Sequence, residues 1–155
     1  MPPSCFLSTP VGTIRLVAGD NGLTALSWCE AGSGEPEPND PQLLLACAEL
    51  RQYFSGQLRN FTVKIDFSHW QGFKAEVYAA LRALPYGETI TYGELARRAG
   101  QPGAARAVGR LMAGNSLPII LPCHRVIAAN GALTGYSGGA GIATKLFLLK
   151  LEKAA

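Results

Sequence analysis

No CxxC pair occurs among the four cysteines of this 155-residue chain, Cys5, Cys29, Cys47 and Cys123. A disulfide framework is therefore not written in the sequence, and reduced thiols are expected. Long apolar runs are also missing. None approaches the ~20 residues that cross a bilayer, so no membrane association is expected. The opening MPPSCFLSTPVG lacks the basic start and apolar stretch of a secretory signal, which points to a cytoplasmic protein. Internal repeats are absent. The one low-complexity stretch, AGSGEPEPNDP at 31–41, reads as a loop. What remains is a soluble globular composition, 48% apolar, long enough for one ordinary domain or two small ones.

The net charge of +3 conceals an asymmetry. Residues 1–71 hold four Lys/Arg against seven Asp/Glu, whereas residues 72–155 hold ten against four. A basic half of this size suits a polyanion, nucleic acid first; an ordinary solvated surface is the plainer alternative.

In the acidic half, Thr13–Ala18 and Leu23–Trp28 read as strands joined through Asp20-Asn21-Gly22, a hairpin signal. Gln42–Phe54 has a helical pattern with Gly56 just past its end, and FTVKIDF (61–67) alternates like a strand. The basic half opens with a helix in QGFKAEVYAALRALP, whose stripe is Phe73, Val77, Ala80, Leu81 and Leu84. Thr91-Tyr92-Gly93-Glu94 forms a capping box for a short helix ending near Ala99-Gly100. Gln101-Pro102 then restarts a helix, with Pro at its first position, running to Gly114. The expected class is α/β (α+β): a small α/β domain over 1–70, then a mostly helical domain over 71–155 of winged-helix or helix-turn-helix type.

The second helix of that pair turns Ala104, Val108, Leu111 and Met112 inward. Its other face carries Gly103, Arg106, Ala107, Arg110 and Ala113. Small residues with two arginines suit close, shape-based contact such as a minor groove, whereas a major-groove reader carries more polar side chains. Tight helix packing within the protein is the competing explanation.

The apolar run Ile119-Ile120-Leu121 looks like a buried strand. It leads into Pro122-Cys123-His124-Arg125, followed by Asn130-Gly131, Gly135-Tyr136 and Gly138-Gly139. A thiol becomes a useful nucleophile when a base or positive charge helps to ionise it. Neighbours in a strand face opposite ways, so contact between sulfur and imidazole needs a turn here, and Pro122 can supply it.

LPCHRVI, with Asn115 eight residues before the Cys and LTGYSGG after it, closely resembles the active-site signature of the O6-alkylguanine-DNA alkyltransferases. The likeness extends through PYGETITYGELARRAG, PGAARAVG and KLFLLKLE, roughly residues 71–152. It implies single-turnover repair by direct reversal. An alkyl group passes from guanine O6 in double-stranded DNA to the protein after nucleotide flipping, with no metal or cofactor, in a monomer; O4-alkylthymine is a further substrate to consider. By the same resemblance Cys123 is the acceptor, His124 its base through a water, and Glu152 the group that orients His124. Asn115 holds the turn, and Tyr92 assists rotation of the nucleotide and polarises the leaving guanine. Arg106 fills the gap in the duplex, while Thr91, Tyr92, Ala104, Ala105, Ala107 and Gly109 meet the DNA. Met112, Val126, Tyr136, Ser137 and Gly138 border the guanine pocket.

The chain departs from the family pattern in three places. GGAGIATK has two more residues between Gly139 and Lys145 than the common spacing, Ser116 stands where Pro is common, and the ending reads Leu151-Glu152-Lys153. Cys5, Cys29 and His69 are spaced unlike a standard zinc motif, so no metal is assigned. Three other readings share parts of the pattern. Alkyltransferase-like damage sensors replace the acceptor Cys, which is present here. A thiol hydrolase using Cys123-His124-Glu152 would turn over repeatedly. A helix-turn-helix regulator would bind specific DNA independently of Cys123.

Overall fold

The computed structural model describes residues 2–30 and 39–153; the loop expected at 31–41 lies outside the described residues as far as position 38. Two compact units are present, residues 1–69 and 70–155. The first is α/β and the second mostly helical, the class expected from the sequence.

In the first unit, β1 (Ser4–Thr9), β2 (Gly12–Gly19) and β3 (Gly22–Trp28) form an antiparallel sheet in that order. The hairpin between β2 and β3 is the one read from Asp20-Asn21-Gly22. β1 was not foreseen, although its inward Cys5 and Leu7 alternate with less buried neighbours as a half-buried strand requires. Helix α1 (Pro41–Phe54) lies against all three strands. Asp40 caps it, its Oδ1 accepting from the Gln42 and Leu43 amides at 2.9 and 3.2 Å, with Pro41 in the first turn. Leu43, Ala46, Cys47, Leu50 and Tyr53 are its buried stripe.

FTVKIDF does not form the expected strand. It makes one parallel bridge, Ile65 to Leu23, flanked by the bonds Leu23 N to Lys64 O (2.9 Å) and Asp66 N to Leu23 O (2.8 Å). The amides that would extend a ladder are diverted. The buried Glu49 carboxylate of α1 accepts from Thr62 N, Val63 N and the Thr62 hydroxyl at 2.7–3.0 Å. Gly22 permits the close approach: a Cβ there would lie 2.7 Å from the Lys64 carbonyl oxygen, and its φ is +127°.

In the second unit, α2 (Gly72–Arg82) buries Val77, Tyr78 and Leu81. The two-residue strand β4 (Ile90–Thr91) leads into α3 (Tyr92–Arg98), and α4 (Ala105–Ala113) packs on α3 as the second helix of the pair. Strand β5 (Val126–Ile127) runs parallel to β4, and α5 (Ile142–Leu151) closes the unit. Two local expectations are corrected. Pro102 does not begin α4. The chain first turns through Gly103, at φ +89°, and the Ala104 amide bonds to the Gln101 carbonyl, so the helix starts at Ala105. The capping box is half formed. Thr91 Oγ1 accepts from the Glu94 amide at 3.1 Å, but the Glu94 carboxylate turns to Arg97 (2.6 and 2.8 Å) and Arg98 (3.4 Å). A two-cation partnership in the next turn outcompetes a single amide.

Removing the Glu49 carboxylate leaves buried amides unsatisfied, at about 1–3 kcal/mol for each stranded group. Glu49→Ala is expected to lower the unfolding free energy by about 2–4 kcal/mol in urea titrations, with Glu49→Gln intermediate. A loss under about 0.5 kcal/mol, the scale of a surface change, contradicts this role.

Candidate active site

Cys123 sits on a turn, not at the end of a strand. Residues 119–121, expected as a strand, lie instead in a segment folded back on itself: the Leu121 amide bonds to the Leu117 carbonyl at 2.8 Å, and Pro118 bridges Leu121. Ile119 adopts φ +75°, a left-handed conformation costly for a β-branched residue, and is 1% exposed. Asn115 pins both ends of this loop. Its Oδ1 accepts from Leu117 N at 2.9 Å and its Nδ2 donates to Leu121 O at 3.0 Å. Pro122, at φ −79° and ψ 62°, has the geometry of an inverse γ-turn, and the Cys123 amide donates to Leu121 O at 2.7 Å across it. Cys123, His124 and Arg125 then form one turn of 3₁₀-helix.

Glu152, at the C-terminal cap of α5, is 3% exposed and lies at the centre of the site. Its Oε2 is 2.7 Å from His124 Nε2. Arg125 donates Nε to Oε1 at 2.8 Å and Nη2 to Oε2 at 3.2 Å, and its Nη1 donates to the Leu84 carbonyl at 2.9 Å. The Gly87 amide reaches Oε1 at 3.4 Å. The carboxylate's charge is thus matched by a bidentate guanidinium. His124 is fully buried. Burial pushes its pKa below the ordinary value; the Glu152 contact pulls upward, and the Arg125 and Lys145 charges push down again. The imidazole is therefore neutral, with Nε2–H donating to Glu152. Nδ1 is left carrying a lone pair, and no protein atom among the described residues bonds to it. A buried basic nitrogen with an unused lone pair can accept a proton.

The Cys123 thiol is itself pushed up, first by burial; a hydrogen bond from the Asn115 side chain and the Lys145 charge pull it back. At rest it is a thiol. Two tyrosines are placed to feel the charge of its thiolate form: Tyr78 is pushed up to about 12 by burial and then by that charge, and Tyr136 is raised for the same two reasons. Tyr78 donates to the Leu111 carbonyl at 2.7 Å, tying α2 to α4. Lys145 is 1% exposed and donates to the Val126 and Thr134 carbonyls at 2.6 and 2.7 Å. Lys145 and Tyr78 were not assigned to the site from sequence, and Arg125 entered only as a positive charge next to Cys123, whereas its guanidinium is turned to Glu152. The signal for Lys145 was its place on one stripe with Leu148, Leu149 and Glu152 in α5.

The other sequence-designated residues fall into two groups. Met112 and Val126 are buried in the core, and Tyr136 is 8% exposed in the Gly-rich segment, where Ser137 is exposed and Gly138 half-buried. The extra residues before Lys145 make a tight turn. Gly141 N bonds to Gly138 O at 2.9 Å and Ala140 N to Thr144 Oγ1 at 2.8 Å, so that α5 begins at Ile142. On α3 and α4, Thr91 and Tyr92 are half-buried, and Tyr92 donates to the Thr134 carbonyl at 3.3 Å. Arg106 and Arg110 are exposed, Ala104, Ala105, Ala107 and Gly109 half-buried, and a side chain at Gly109 would meet no atom within 4 Å. The outer face of α4 is therefore open apart from its two arginines.

Comparison with known proteins bears on this geometry. Residues 72–154 match the family model for the 6-O-methylguanine DNA methyltransferase DNA-binding domain, and residues 5–67 match that for the ribonuclease-like domain of the same methyltransferases. The chain belongs to the O6-methylguanine DNA methyltransferase family. Among relatives of this family, the methylated-DNA–protein-cysteine methyltransferase of Methanosarcina acetivorans is 42% identical, over 95% of this chain and 96% of its own length. That of Mycobacterium tuberculosis is 43% identical, over 95% and 90%. The crystal structure of M. tuberculosis O6-methylguanine methyltransferase matches with a TM-score of 0.85 at 41% identity, covering 99% of this chain and 94% of that one. The M. tuberculosis protein crystallised in complex with DNA matches with 0.83 at 44% identity, covering 97% and 92%.

Within this methyltransferase fold, the neutral His124 makes a pH signature. Its folded pKa is depressed, so the folded state refuses a proton that the unfolded chain accepts below about 6.5. Stability is held above that value and lost as pH falls. Compared with His124→Asn, the wild-type chain is expected to lose up to about 2 kcal/mol more unfolding free energy between about pH 7 and about pH 5. Parallel pH profiles for the two chains would contradict a buried neutral histidine.

Proposed function

We propose that this chain repairs DNA by direct reversal, moving an alkyl group from guanine O6 to Cys123 irreversibly and once per molecule. The observation that carries this reading is the buried Cys123 followed by a neutral His124 anchored on Glu152, in a member of the O6-methylguanine DNA methyltransferase family.

An O6-alkyl group is hidden within the duplex, so the nucleotide must leave the stack before a protein sulfur can reach it. The open face of α4 suits that task. Ala104, Ala105, Ala107 and Gly109, with Thr91 and Tyr92 beside them, allow close approach to the minor groove, and Arg106 enters the space vacated by the flipped nucleotide. The basic surplus of residues 72–155 favours the phosphate backbone. The DNA complex of the M. tuberculosis relative supports duplex DNA as the partner. Tyr136, Ser137 and Gly138, with Met112 and Val126 behind them, border the base.

In the reaction, the Cys123 thiol gives its proton to His124 Nδ1, directly or through one water, while Nε2–H stays on Glu152. The sulfur attacks the alkyl carbon, the bond from that carbon to O6 breaks, and the electron pair returns to guanine, with the Tyr92 hydroxyl assisting at the leaving base. Asn115 and Lys145 stabilise the developing thiolate. The product is a thioether, which a histidine and water cannot hydrolyse, so the protein is spent after one event. Nothing in this sequence of steps calls for a metal or cofactor. Among the described residues, no helix is long and apolar enough to cross a membrane. We assign the protein to the cytoplasm, acting on DNA as a monomer.

The test is intact mass with peptide mapping after incubation with excess duplex DNA carrying O6-methylguanine. One methyl group replacing one hydrogen on Cys123, with no second turnover and none in Cys123→Ala, is the expected result. Unmodified Cys123 in folded protein contradicts the proposal. Tight lesion binding in that case would indicate a damage sensor, and repeated product release a thiol hydrolase.

A further inference from the structure

The first unit holds a pair of neighbouring thiols. Cys5 on β1 and Cys47 on α1 are 42 positions apart in sequence, yet their sulfurs lie 3.4 Å from each other. Both are buried, at 1% and 3% exposure. At this separation the sulfurs are in S–H···S contact, whereas a disulfide draws them to about 2.05 Å. The remaining closure is on the order of 1 Å, within reach of side-chain rotation. Neither other cysteine competes for this position. The Cys29 thiol points instead to the Thr13 carbonyl at 3.6 Å, and the Cys123 thiol interacts with the Asn115 side chain.

We propose that Cys5 and Cys47 form a disulfide when the protein meets a peroxide oxidant, stapling β1 to α1. β1 is an edge strand, the kind of element that opens locally without global unfolding and admits a small oxidant. One sulfur gives up its proton and attacks the peroxide; the O–O bond breaks, leaving a sulfenic acid and releasing one water. The second thiol attacks that sulfur and forms the S–S bond. The hydroxyl departs with the second thiol's proton as another water. Two thiols are oxidised by two electrons, and one peroxide is reduced to two waters. A buried cysteine with a neighbour resolves its sulfenic acid in this way; a solitary one does not. The cross-link closes a long loop between elements that already touch, the situation in which a disulfide most restricts the unfolded chain. Oxidation thereby hardens the first unit independently of the repair chemistry assigned to Cys123.

The experiment treats the full-length protein with hydrogen peroxide, blocks free thiols with iodoacetamide after denaturation, and digests without reductant. Cleavage after Arg15, Glu30 and Glu49 separates Cys5, Cys29 and Cys47 onto different peptides. The expected result is a protein lighter by two hydrogens, a peptide pair joined through Cys5 and Cys47, and alkylated Cys29 and Cys123. The thermal midpoint should rise by roughly 10 °C and return with dithiothreitol. Cys5→Ser and Cys47→Ala should each abolish the joined peptide, although the map of the unmutated chain decides the matter without them. Recovery of Cys5 and Cys47 as free thiols while Cys29 or Cys123 is oxidised overturns the proposal, as does either one joined to another partner. A joined pair with an unmoved midpoint overturns the stabilising role.

Discussion

One buried carboxylate organises the second unit. Glu152 draws together the cap of α5, the turn bearing Cys123, and the segment after α2, through His124, the Nε–Nη2 edge of Arg125, and the Gly87 amide. Arg125 extends the same network to the Leu84 carbonyl. Burying charges in this way carries a desolvation cost, and such a pair is weak evidence for stability in itself. Its significance lies in how the charge is shared. A bidentate guanidinium satisfies the carboxylate, so the histidine on the same oxygen has no need to be charged. Burial then settles it as a neutral ring whose free nitrogen carries a lone pair. Were Arg125 absent, the unbalanced carboxylate would favour an imidazolium, which can donate a proton but not accept one.

The second constraint is the shape of the loop before the sulfur. Ile119 in a left-handed conformation and Pro122 at an inverse γ-turn are held in place by the two hydrogen bonds of Asn115. Strain of this kind costs on the order of 1–3 kcal/mol. Burying the isoleucine side chain offsets a similar amount. The strained loop ends in a 3₁₀ turn, in which consecutive side chains no longer alternate between opposite faces as they do along a strand. That is how adjacent positions in the sequence can serve one site.

Much of this was legible in the residues. The hairpin of β2 and β3, the span of α1, the α3–α4 pair and the small-residue face of α4 follow from turn chemistry and apolar periodicity, and the Cys-His motif with its surroundings pointed to the family. Other features depend on competition between partners, which periodicity does not encode. FTVKIDF alternates like a strand, but Glu49 takes its amides. Glu94 has the spacing of a capping box, but two arginines claim its carboxylate. Ile119–Leu121 reads as a strand because its residues are apolar and two of them are β-branched, whereas the two bonds of Asn115 impose a turn. The pairing of Arg125 with Glu152 and the place of Lys145 in the site were overlooked because a charged residue in an apolar stretch gives no sign of where its charge is neutralised. β1 was missed despite its alternation, its short run being masked by Pro2-Pro3 before it and Pro10 after it.

The chemistry proposed for Cys123 depends on the protonation state of His124 at rest. It is tested most directly by nitrogen-15 NMR of the histidine rings in the unalkylated protein, with His124→Asn identifying the signal. The expected result is a neutral ring near neutral pH, protonated on Nε2 alone, with its pKa below the ordinary histidine value. A ring protonated on both nitrogens would mean an imidazolium paired with the Glu152 carboxylate at rest, and would contradict the role assigned to Arg125 in leaving that ring neutral.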